Sequence, residues 1–383
     1  MKVLMINSVC GIRSTGRICT DLAESLEAQG HECKIAYGRE AVPEKHRARA
    51  VHIGTPLSVR LHGLKARLWD ASGFGSARAT RKFIKWVKEY DPDIIHLHNL
   101  HGYYINIRIL FDYLKKSGKP VIWTLHDCWA FTGHCCDLTD CDKWKSECFT
   151  CQKHASYPKS ITDRSRHNYR VKKDLFTSLE NVTVVTPSEW LGALVKQSFL
   201  GKYSVKVVNN GIDVSVFKPT PSDFRPKHRL EDKKIILGVA SAWGKNKGLY
   251  DFVKLADMLD DSHKIVLVGL TEEQKNALPE KILGITRTNS PVELAEIYTA
   301  ADVFLNLTYN DNYPTVNLEA QACGTPVITY RTGGSPESVP AENVVEQGDL
   351  LSAKEKLVDL QITNADLSKA KMLNEYIALY QKF

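Results

Sequence analysis

One stretch, from Ala301 to Glu337, constrains the fold of this chain more than any other. It contains a buried apolar strand (Val303 to Leu307), a polar loop, a short helix, a second buried strand (Pro326 to Tyr330) and a glycine-rich loop. A short helix between two strands points its first N–H groups and the positive end of its dipole at the mouth of a sheet. The pattern therefore predicts an α/β fold with an anion site, typically for phosphate, at that edge.

Several polar side chains of this stretch are placed to bind a phosphate and the groups attached to it. Pro314 suits the first turn of the helix, and Asp311 or Asn312 can cap it. Glu319 lies four residues beyond Thr315, so both side chains share one helix face. A carboxylate one turn below a phosphate is placed to accept hydrogen bonds from ribose hydroxyls.

The spacing from Asp311 to Glu319, followed by EAQACGTPVI and TGGSPE, resembles the donor-site signature of the family-4 retaining glycosyltransferases. The branch that it most resembles builds capsular, exopolysaccharide or colanic-acid repeat units. The resemblance implies the GT-B fold: two Rossmann-like α/β domains that face each other across a cleft, with a C-terminal helix that crosses back to the first domain. The family usually has Glu where this chain has Asp311. A surface loop with incidental acids is the alternative interpretation.

The length and composition of the chain favour two globular domains. It has 383 residues, of which 43% are hydrophobic and 25% charged, and this is more than one ordinary core accommodates. The expected limits are residues 1–213 for the first, acceptor domain with a cysteine-rich insert at 134–152, then a linker at 214–232, a donor domain at 233–365 and a returning helix at 366–383.

The sequence predicts a cytoplasmic protein. Its first residues, MKVLMINSV, lead directly into a strand pattern rather than a signal peptide, and no run of about 18 apolar residues indicates a membrane span. Residues 47–88 interleave many basic residues with Leu, Trp and Phe. Two interpretations of this stretch stay open: a solvated helical face, or a surface that contacts the anionic inner face of the plasma membrane. No nucleic-acid-binding motif accompanies the charge.

The loop after the first strand contains two glycines near the start of a helix, in the manner of a phosphate-binding turn. It lacks the full GxGxxG pattern. The resemblance implies that Gly16 approaches the donor, whereas Arg13 and Ser14 line the acceptor side. Arg13 stands where relatives often have glycine, and an acceptor phosphate is one group that it could meet.

Polar residues also follow two buried strands of the first domain, Ile94 to Leu97 and Val121 to Leu125. Ligands of open α/β sheets bind outside the carboxyl ends of strands. The acceptor-side candidates after the first of these strands are Asn99, His101 and Tyr103. The resemblance implies that His126, after the second strand, contacts the donor sugar, and Asp127 could fix its tautomer. Satisfied structural histidines are the alternative.

Five cysteines fall within the insert: Cys135, Cys136, Cys141, Cys148 and Cys151. Stable disulfides are not expected without a secretion signal. The density, including the C-x2-C of Cys148 and Cys151, predicts a structural zinc site. The predicted ligands are Cys135, Cys141, Cys148 and Cys151, with Cys136 or His134 as substitutes. A group of free thiols is the alternative, and no cofactor is expected in catalysis.

The second domain opens with a strand, Lys234 to Ala240, followed by GKNKG. The resembled family has a lysine just before a glycine here, and Lys247 matches it. A fixed cation stabilises the charge that develops on phosphate as a glycosidic bond breaks. The family commonly has arginine five residues earlier, where this chain has Ala242; Lys245 is near enough to share that role.

The resemblance therefore implies a retaining glycosyltransferase that needs no metal for catalysis. It would move a sugar from a UDP- or GDP-sugar to a hydroxyl of a growing, lipid-linked bacterial surface polysaccharide. Residues at the reacting groups would be His126, Asp311 and Lys247, and the nucleotide would contact Gly16, Lys245, Lys247, Asn312, Pro314, Thr315 and Glu319. Two alternatives remain: a non-catalytic partner subunit that binds sugar nucleotide, suggested by Asp311 and Ala242, and a GT-B nucleotide-sugar epimerase.

Overall fold

The computed structural model describes residues 1–137, 141–358 and 360–383. The chain divides into two compact units, here called unit 1 and unit 2. Unit 1 comprises Met1–Val208 together with Leu373–Phe383, and unit 2 comprises Asn209–Met372. Each unit is built around a parallel sheet flanked by helices, so the predicted two-domain α/β architecture is confirmed.

The described residues of unit 1 form a seven-stranded parallel sheet. Its strands are β1 (Lys2–Ile6), β2 (Glu32–Tyr37), β3 (Ala50–His52), β4 (Ile94–Leu97), β5 (Val121–Thr124), β6 (Val182–Thr186) and β7 (Ser204–Val207). The spatial order is β3-β2-β1-β4-β5-β6-β7. Every residue of β4 and β5 is buried, as expected for parallel strands covered on both faces. The order reverses between β1 and β4, the usual location of a ligand site.

Helices connect these strands. They are α1 (Arg13–Glu27), α2 (Pro56–Trp69), α3 (Ala77–Tyr90), α4 (Ile107–Ser117), α5 (Ser165–Phe176) and α6 (Glu189–Gln197). Side chains cap the starts of three of these helices. Thr55 and Ser58 form a capping box at α2. Asn106 accepts the Ile109 N–H at α4, and Ser188 accepts the Leu191 N–H at α6, both at 3.2 Å.

Unit 2 contains a second parallel sheet, with six strands in its described part. They are β8 (Lys234–Val239), β9 (His263–Val268), β10 (Ile282–Ile285), β11 (Val303–Asn306), β12 (Val327–Tyr330) and β13 (Val344–Val345). The spatial order is β10-β9-β8-β11-β12-β13, and it reverses between β8 and β11. The sequence patterns did not reveal the two edge strands, β10 and β13.

The helices of unit 2 are α7 (Phe224–His228), α8 (Leu249–Met258), α9 (Glu272–Asn276), α10 (Pro291–Ala300), α11 (Thr315–Ala322) and α12 (Leu350–Glu355). Residues 214–232, expected to be a linker, lie inside unit 2. Phe217, Phe224 and Leu230 from this segment are buried in its core. The three apolar side chains therefore anchor the segment to unit 2. Its prolines and charged residues interrupt the apolar periodicity from which a helix would be predicted.

The last helix, α13 (Lys369–Tyr380), lies mostly in unit 1. Its Tyr380 hydroxyl hydrogen-bonds His96 Nδ1 on β4. The Tyr376 hydroxyl lies 3.0 Å from Thr124 Oγ1 on β5, and Thr124 Oγ1 lies 2.8 Å from His96 Nε2. Because all four side chains are buried, this network holds α13 against the centre of the sheet.

Each unit has its own hydrophobic core. In unit 2, Ile235 and Leu237 of β8 belong to one cluster and Ile236 belongs to another, because successive side chains of a strand point to opposite faces. Across the helices of residues 1–137, 141–358 and 360–383, none combines the length and hydropathy needed to cross a membrane.

Candidate functional site

Polar residues gather at the carboxyl edge of the unit 2 sheet, next to the reversal of strand order. We call this group the α11 site. It consists of residues 245–248 after β8, residues 307–319 after β11 and residues 332–334 after β12. These segments follow neighbouring parallel strands, so they meet at one edge of the sheet.

Gly248 allows the turn after β8 to pack against the end of β11. Its φ is +73°, and a Cβ at this position would lie 2.2 Å from the Leu307 carbonyl oxygen. The Asn246 carbonyl accepts the Tyr309 N–H at 2.9 Å and the Thr308 hydroxyl at 3.1 Å. The Lys-Gly pair noted in the sequence thus has a steric basis, because only glycine permits this close approach.

The approach brings together two of the predicted site residues. Lys247 Nζ lies 2.7 Å from Asp311 Oδ2 and 3.4 Å from Thr308 Oγ1. The Lys247 and Asp311 side chains are 38% and 22% exposed, so the ion pair faces solvent on one side. Lys245, in the same turn, is exposed. The site therefore holds a cation whose present partner is a carboxylate of the same site.

The glycine-rich loop after β12 fixes the backbone of Asp311. Gly333 has a φ of +53°, and a Cβ there would lie 2.0 Å from the Asp311 carbonyl oxygen. The Gly334 N–H donates to that same oxygen at 3.1 Å, and the Thr332 hydroxyl donates to the Tyr309 carbonyl at 2.9 Å. Asp311 is thus positioned by a backbone contact that a larger residue at 333 would disrupt.

Helix α11 begins at Thr315, with Pro314 in the N-cap position at φ −73° and ψ 118°. The prediction that Pro314 occupies the first turn is wrong by one residue, because the extended ψ of this proline places it just before the helix. No side-chain hydrogen bond caps the helix from Pro314. The first-turn N–H groups and the positive end of the helix dipole favour an anion at this end of α11.

Glu319 lies one turn after Thr315 and is half-buried. The Tyr298 hydroxyl, on α10, donates to Glu319 Oε2 at 3.1 Å. Tyr298 is buried, and burial raises its pKa well above the ordinary value, with the nearby Glu319 charge acting in the same direction. The tyrosine therefore stays protonated at neutral pH, and its hydroxyl orients the carboxylate by donating a hydrogen bond to it.

A buried asparagine that was not predicted from the sequence connects α11 to the rest of unit 2. Asn317 is fully buried and accepts from Asn306 Nδ2 at 2.8 Å. Its own Nδ2 donates to Ser338 Oγ at 2.8 Å and to Ser335 Oγ at 3.3 Å. The network links β11, α11 and the turn after the glycine loop. A polar residue on the buried face of a short helix is the signal that could have revealed it.

A second polar group lies in unit 1, at the carboxyl ends of the neighbouring strands β4 and β5. We call residues 98–103 with residues 126–127 the β4–β5 site. His98 Nδ1 lies 3.0 Å from His126 Nε2, and His101 Nε2 lies 2.6 Å from Asp127 Oδ2. Asp127 was expected to fix the tautomer of His126, whereas in the structure its ion pair is with His101.

Burial determines the protonation of the β4–β5 site. It lowers the pKa of His126 to about 4 and that of His98 well below the ordinary value. Burial opposes ionisation of Asp127 as well, but His101 and the Trp129 N–H outweigh it and lower the pKa of this carboxyl. At neutral pH the site therefore contains neutral His98 and His126 beside a charged Asp127.

A small cavity of about 10 Å³ adjoins the β4–β5 site, enough for about one water molecule. His98, His101, His126 and Asp127 are among its lining residues. Among the described residues, none is a hydrogen-bond partner for the buried His98 Nε2. A bound hydroxyl or water is the kind of group that such an atom requires.

The other predicted residues of unit 1 take different positions. Arg13 has a φ of +56° and forms an ion pair of 2.8 Å with Glu40. Gly16 is buried within α1, and its carbonyl accepts the Gly11 N–H at 3.0 Å. Ser14 is exposed, and Tyr103 is half-buried after β4.

Asn7, directly after β1, was not predicted from the sequence. Its side chain donates to Thr15 Oγ1 and accepts the Asn99 N–H, both at 3.3 Å. Asn7 therefore connects the first turn of α1 to the loop after β4.

Two parallel α/β sheets, each with polar residues at its carboxyl edge, are the architecture of the two-domain glycosyltransferases. The profile of Glycosyltransferase Family 4 matches residues 15–216, more than half of the chain. The profile of Glycosyl transferases group 1 matches residues 222–376. The chain belongs to glycosyltransferase family 4.

Known proteins resemble the chain over its full length. The colanic acid biosynthesis glycosyl transferase WcaC of Escherichia coli (strain K12) is 23% identical over an alignment of 416 positions, which covers 100% of both proteins. Among solved structures, the sucrose-phosphate synthase of Thermosynechococcus elongatus has a TM-score of 0.71 at 16% identity, covering 100% of this chain and 98% of that one. Anabaena Alr3699/HepE in complex with UDP has a TM-score of 0.70 at 15% identity, covering 100% of each. The two structural likenesses show the GT-B glycosyltransferase fold.

Proposed function

We propose that this chain transfers a sugar, with retention of anomeric configuration, from a nucleotide-diphosphate sugar to a hydroxyl of a growing bacterial surface polysaccharide. The observation that carries the proposal is the grouping of Lys247, Asp311 and Glu319 around the start of α11. The full-length similarity to WcaC supports a polysaccharide acceptor. The UDP in the structurally similar HepE supports a nucleotide donor.

In the proposed mechanism, Lys247 and the first turn of α11 bind the diphosphate, and Glu319, oriented by Tyr298, accepts hydrogen bonds from ribose hydroxyls. The donor's anomeric carbon–oxygen bond breaks while the acceptor oxygen attacks from the same face. The leaving phosphate oxygen takes the acceptor proton. Lys247 stabilises the charge that develops on that phosphate, so we propose catalysis without a metal cation.

Asp311 has two roles in this proposal. In the absence of donor its carboxylate neutralises Lys247 at 2.7 Å. When the diphosphate replaces Asp311 as the ion-pair partner of Lys247, the Asp311 carboxylate becomes available to accept hydrogen bonds from hydroxyls of the donor sugar. We further propose that His126, neutral at physiological pH because of its burial, contacts the sugar.

Nucleotide binding tests this proposal. UDP, GDP, ADP and CDP are titrated into the wild type, Lys247→Met and Glu319→Gln, and the melting temperature and Kd are measured. One nucleotide should raise the melting temperature by mass action. Each substitution should raise the Kd for that nucleotide about 10- to 100-fold, as expected for loss of a hydrogen bond to a charged group.

The matched controls are Lys254→Met and Glu273→Gln, two exposed positions on α8 and α9, which should bind like the wild type. The donor site is refuted if no nucleotide binds, or if the site variants and the controls behave alike. Once the donor base is known, the anomeric configuration of the product, measured by NMR, tests retention directly.

A non-catalytic sugar-nucleotide-binding subunit is the second candidate. Two observations favour it. The Asp311 carboxylate forms an ion pair with Lys247 and so competes with a phosphate for this cation. Ala242 carries no charge at the position where the resembled family commonly has arginine. A binder of this kind would show the same nucleotide affinity but release no nucleotide from the donor sugar when acceptor is present.

We also propose that α2 contacts an anionic membrane leaflet, where a lipid-linked acceptor would be found. Leu57, Leu61 and Leu64 are 64%, 58% and 53% exposed, and Trp69 is 54% exposed. At about 100° per residue the three leucines form one stripe along the helix. The exposed basic residues beside this stripe are Arg60, Lys65 and Arg67.

An apolar stripe bordered by basic residues is typical of helices that lie in a membrane interface. The following helix adds exposed positive charge from Arg78, Arg81, Lys82, Lys85 and Lys88, each of which contributes attraction to anionic lipid. The charge complementarity therefore favours an anionic membrane over a neutral protein partner.

Vesicle flotation tests the membrane contact. The chain should float with phosphatidylcholine vesicles that contain phosphatidylglycerol, but not with pure phosphatidylcholine vesicles. Leu61→Ser/Leu64→Ser should abolish flotation, whereas Val292→Ser/Leu351→Ser, two exposed apolar positions in unit 2, should not. Flotation that is equal in all variants, or a shift from dimer to monomer in the leucine variant, would contradict a membrane partner.

A further inference from the structure

The cysteine insert, residues 134–152, is not part of either candidate site as defined above, although Cys136 lies beside His101 and Asp127 of the β4–β5 site. Regular structure in its described part is limited to one short turn, Lys143–Lys145. Trp144, in that turn, is buried, and its ring lies 5.3 Å from that of Phe131. A loop of this length within a compact domain usually needs an additional constraint. The cysteines are the residues able to supply one.

The structure brings the two ends of the insert together through their cysteines. Cys135 Sγ lies 3.4 Å from Cys151 Sγ. Cys148 interacts electrostatically with both Cys141 and Cys151. Gly133 is needed for this approach, since a Cβ there would lie 2.9 Å from Cys148 Cβ and 2.2 Å from the Ser165 carbonyl oxygen.

One backbone hydrogen bond in the insert is of the type that stabilises a thiolate rather than a thiol. The Gly133 N–H donates to Cys148 Sγ at 3.2 Å. The four ligands of a zinc tetrathiolate are deprotonated, and hydrogen bonds from outside the ligand set commonly support such ligands. The contact therefore suits a metal-bound Cys148.

A buried cation lies beside the insert. Lys172, on α5, is 1% exposed and donates to the carbonyls of Trp129 at 2.8 Å and Thr132 at 3.1 Å. Its ammonium group also lies 3.5 Å from the centroid of the Trp129 ring. Burial lowers the pKa of Lys172 to about 7, whereas Cys136, Asp70 and Cys148 act in the opposite direction. A nearby zinc tetrathiolate of charge −2 would stabilise the ammonium form further.

We propose that Cys135, Cys141, Cys148 and Cys151 bind one structural Zn²⁺ ion, and that Lys172 neutralises part of the charge of this site. The separation of Cys135 from Cys151 is close to that of two ligands with Zn–S bonds of about 2.3 Å in a tetrahedral site. No third ligand atom of the described residues lies within 4.8 Å of both sulfurs, so Cys141 and Cys148 move toward the ion when it binds.

Two neighbouring arrangements are less suited to the metal. His101, Asp127 and Cys136 have ligand atoms within 4.8 Å of one another, but His101 and Asp127 are joined by a hydrogen bond of 2.6 Å, shorter than the separation of two zinc ligands. His134 Nδ1 donates a hydrogen bond to Asp70 Oδ1 at 2.6 Å, and His134 directly precedes Cys135. Of the two possible substitutes, Cys136 belongs to the arrangement just described, and His134 is the one that the experiment must exclude.

The test measures metal content and ligand type in the full chain. Protein purified in zinc-containing medium should contain one zinc per chain by mass spectrometry. Replacement by Co²⁺ should give the absorption spectrum of a tetrahedral tetrathiolate. A chelator should lower the melting temperature of unit 1, and it should expose four additional thiols to a thiol reagent.

Variants identify the ligands. Cys141→Ser and Cys148→Ser should each lose zinc, whereas Cys323→Ser, a buried cysteine of unit 2, should retain it. Lys172→Met should bind zinc about tenfold more weakly, as is typical when a group that supports the ligands is removed. Circular dichroism establishes that each variant is folded.

Several results would overturn the proposal: substoichiometric zinc with no effect of chelator, a Cys135–Cys151 disulfide in unreduced peptides, or zinc retained in Cys141→Ser but lost in His134→Asn. None of these results depends on nucleotide binding in unit 2. Failure of the zinc site is therefore distinguishable from failure of the proposed transferase activity.

Discussion

At the scale of residues, the sequence identified several members of the α11 site but not Asn317 and not the contacts between them. Spacing placed Lys247 and Asp311 in loops that follow neighbouring strands, and Glu319 on the short helix after the second of these loops. It could not show that Asp311 pairs with Lys247 or that Tyr298 holds Glu319. Such contacts join residues 21 and 64 positions apart, and they follow from strand order, which local patterns do not encode.

Buried neutral histidines make the stability of unit 1 sensitive to acid. Burial lowers the pKa of His96 to about 3 and those of His62 and His126 to about 4, against an ordinary value of 6.5. The unfolded chain therefore binds more protons than the folded chain below about pH 6.5. The stability that these groups support is complete above pH 6.5 and is lost as the pH falls from 6.5 toward 3.

Urea unfolding at pH values between 7.5 and 5 checks this expectation. Six of the seven tryptophans lie in unit 1, so their fluorescence reports mainly on that unit. Each such histidine should contribute little above pH 6.5, and as the pH falls toward 5 its contribution to the fall in unfolding free energy should approach about 1.4 kcal/mol per pH unit. His96, which faces Tyr380, Thr124 and His98, is the test case. His96→Gln should reduce the slope by about one proton, and an unchanged slope would contradict the assignment.

At the scale of elements, the central strands were predictable and the edges were not. Strands such as β4 and β5 are continuous apolar runs, because both of their faces are covered. The edge strand β10 is half-buried over most of its length and contains Gly284, and β13 has two residues. Sequence patterns as short as that of β13, or as mixed in polarity as that of β10, cannot be distinguished from the patterns of loops. The same applies to α7, a helix of five residues.

The turn that carries Lys247 offers a matched pair of glycines. Gly248→Ala should destabilise unit 2 by about 1–3 kcal/mol, because its φ is +73° and the new Cβ would meet Leu307. The same variant should bind nucleotide more weakly, because the turn that carries Lys247 would move away from the end of β11.

Gly244→Ala is the control, because its backbone is extended and no atom lies within 4 Å of the added Cβ. It should change stability by less than about 0.5 kcal/mol. Thermal unfolding and nucleotide titration of both variants test the claim. Equal behaviour of the two would show that the close contact with β11 does not position Lys247.

At the scale of the whole molecule, unit 1 is completed by a segment distant in sequence. Tyr380 is fully buried and bonded to His96, so Tyr380→Ala should cost unit 1 about 3–5 kcal/mol, as for other buried aromatic residues. Phe383→Ala, at a position that is 55% exposed, is the control.

The measurement is unfolding followed by tryptophan fluorescence, together with nucleotide binding as a report on unit 2. Tyr380→Ala should lower the fluorescence transition and leave the nucleotide affinity of unit 2 intact. A loss of nucleotide affinity that equals the loss of stability would contradict this expectation.

The connectivity of unit 1 also bears on the order in which the chain can fold during its synthesis. Unit 2 is continuous from Asn209 to Met372, whereas unit 1 needs Leu373–Phe383 as well as Met1–Val208. A ribosome therefore releases all of unit 2 before it delivers the helix that covers His96 and Thr124. Until then, the first 208 residues form an incomplete domain in which part of the sheet is exposed to solvent. That exposed part of the sheet is the surface that a chaperone acting on the nascent chain would bind.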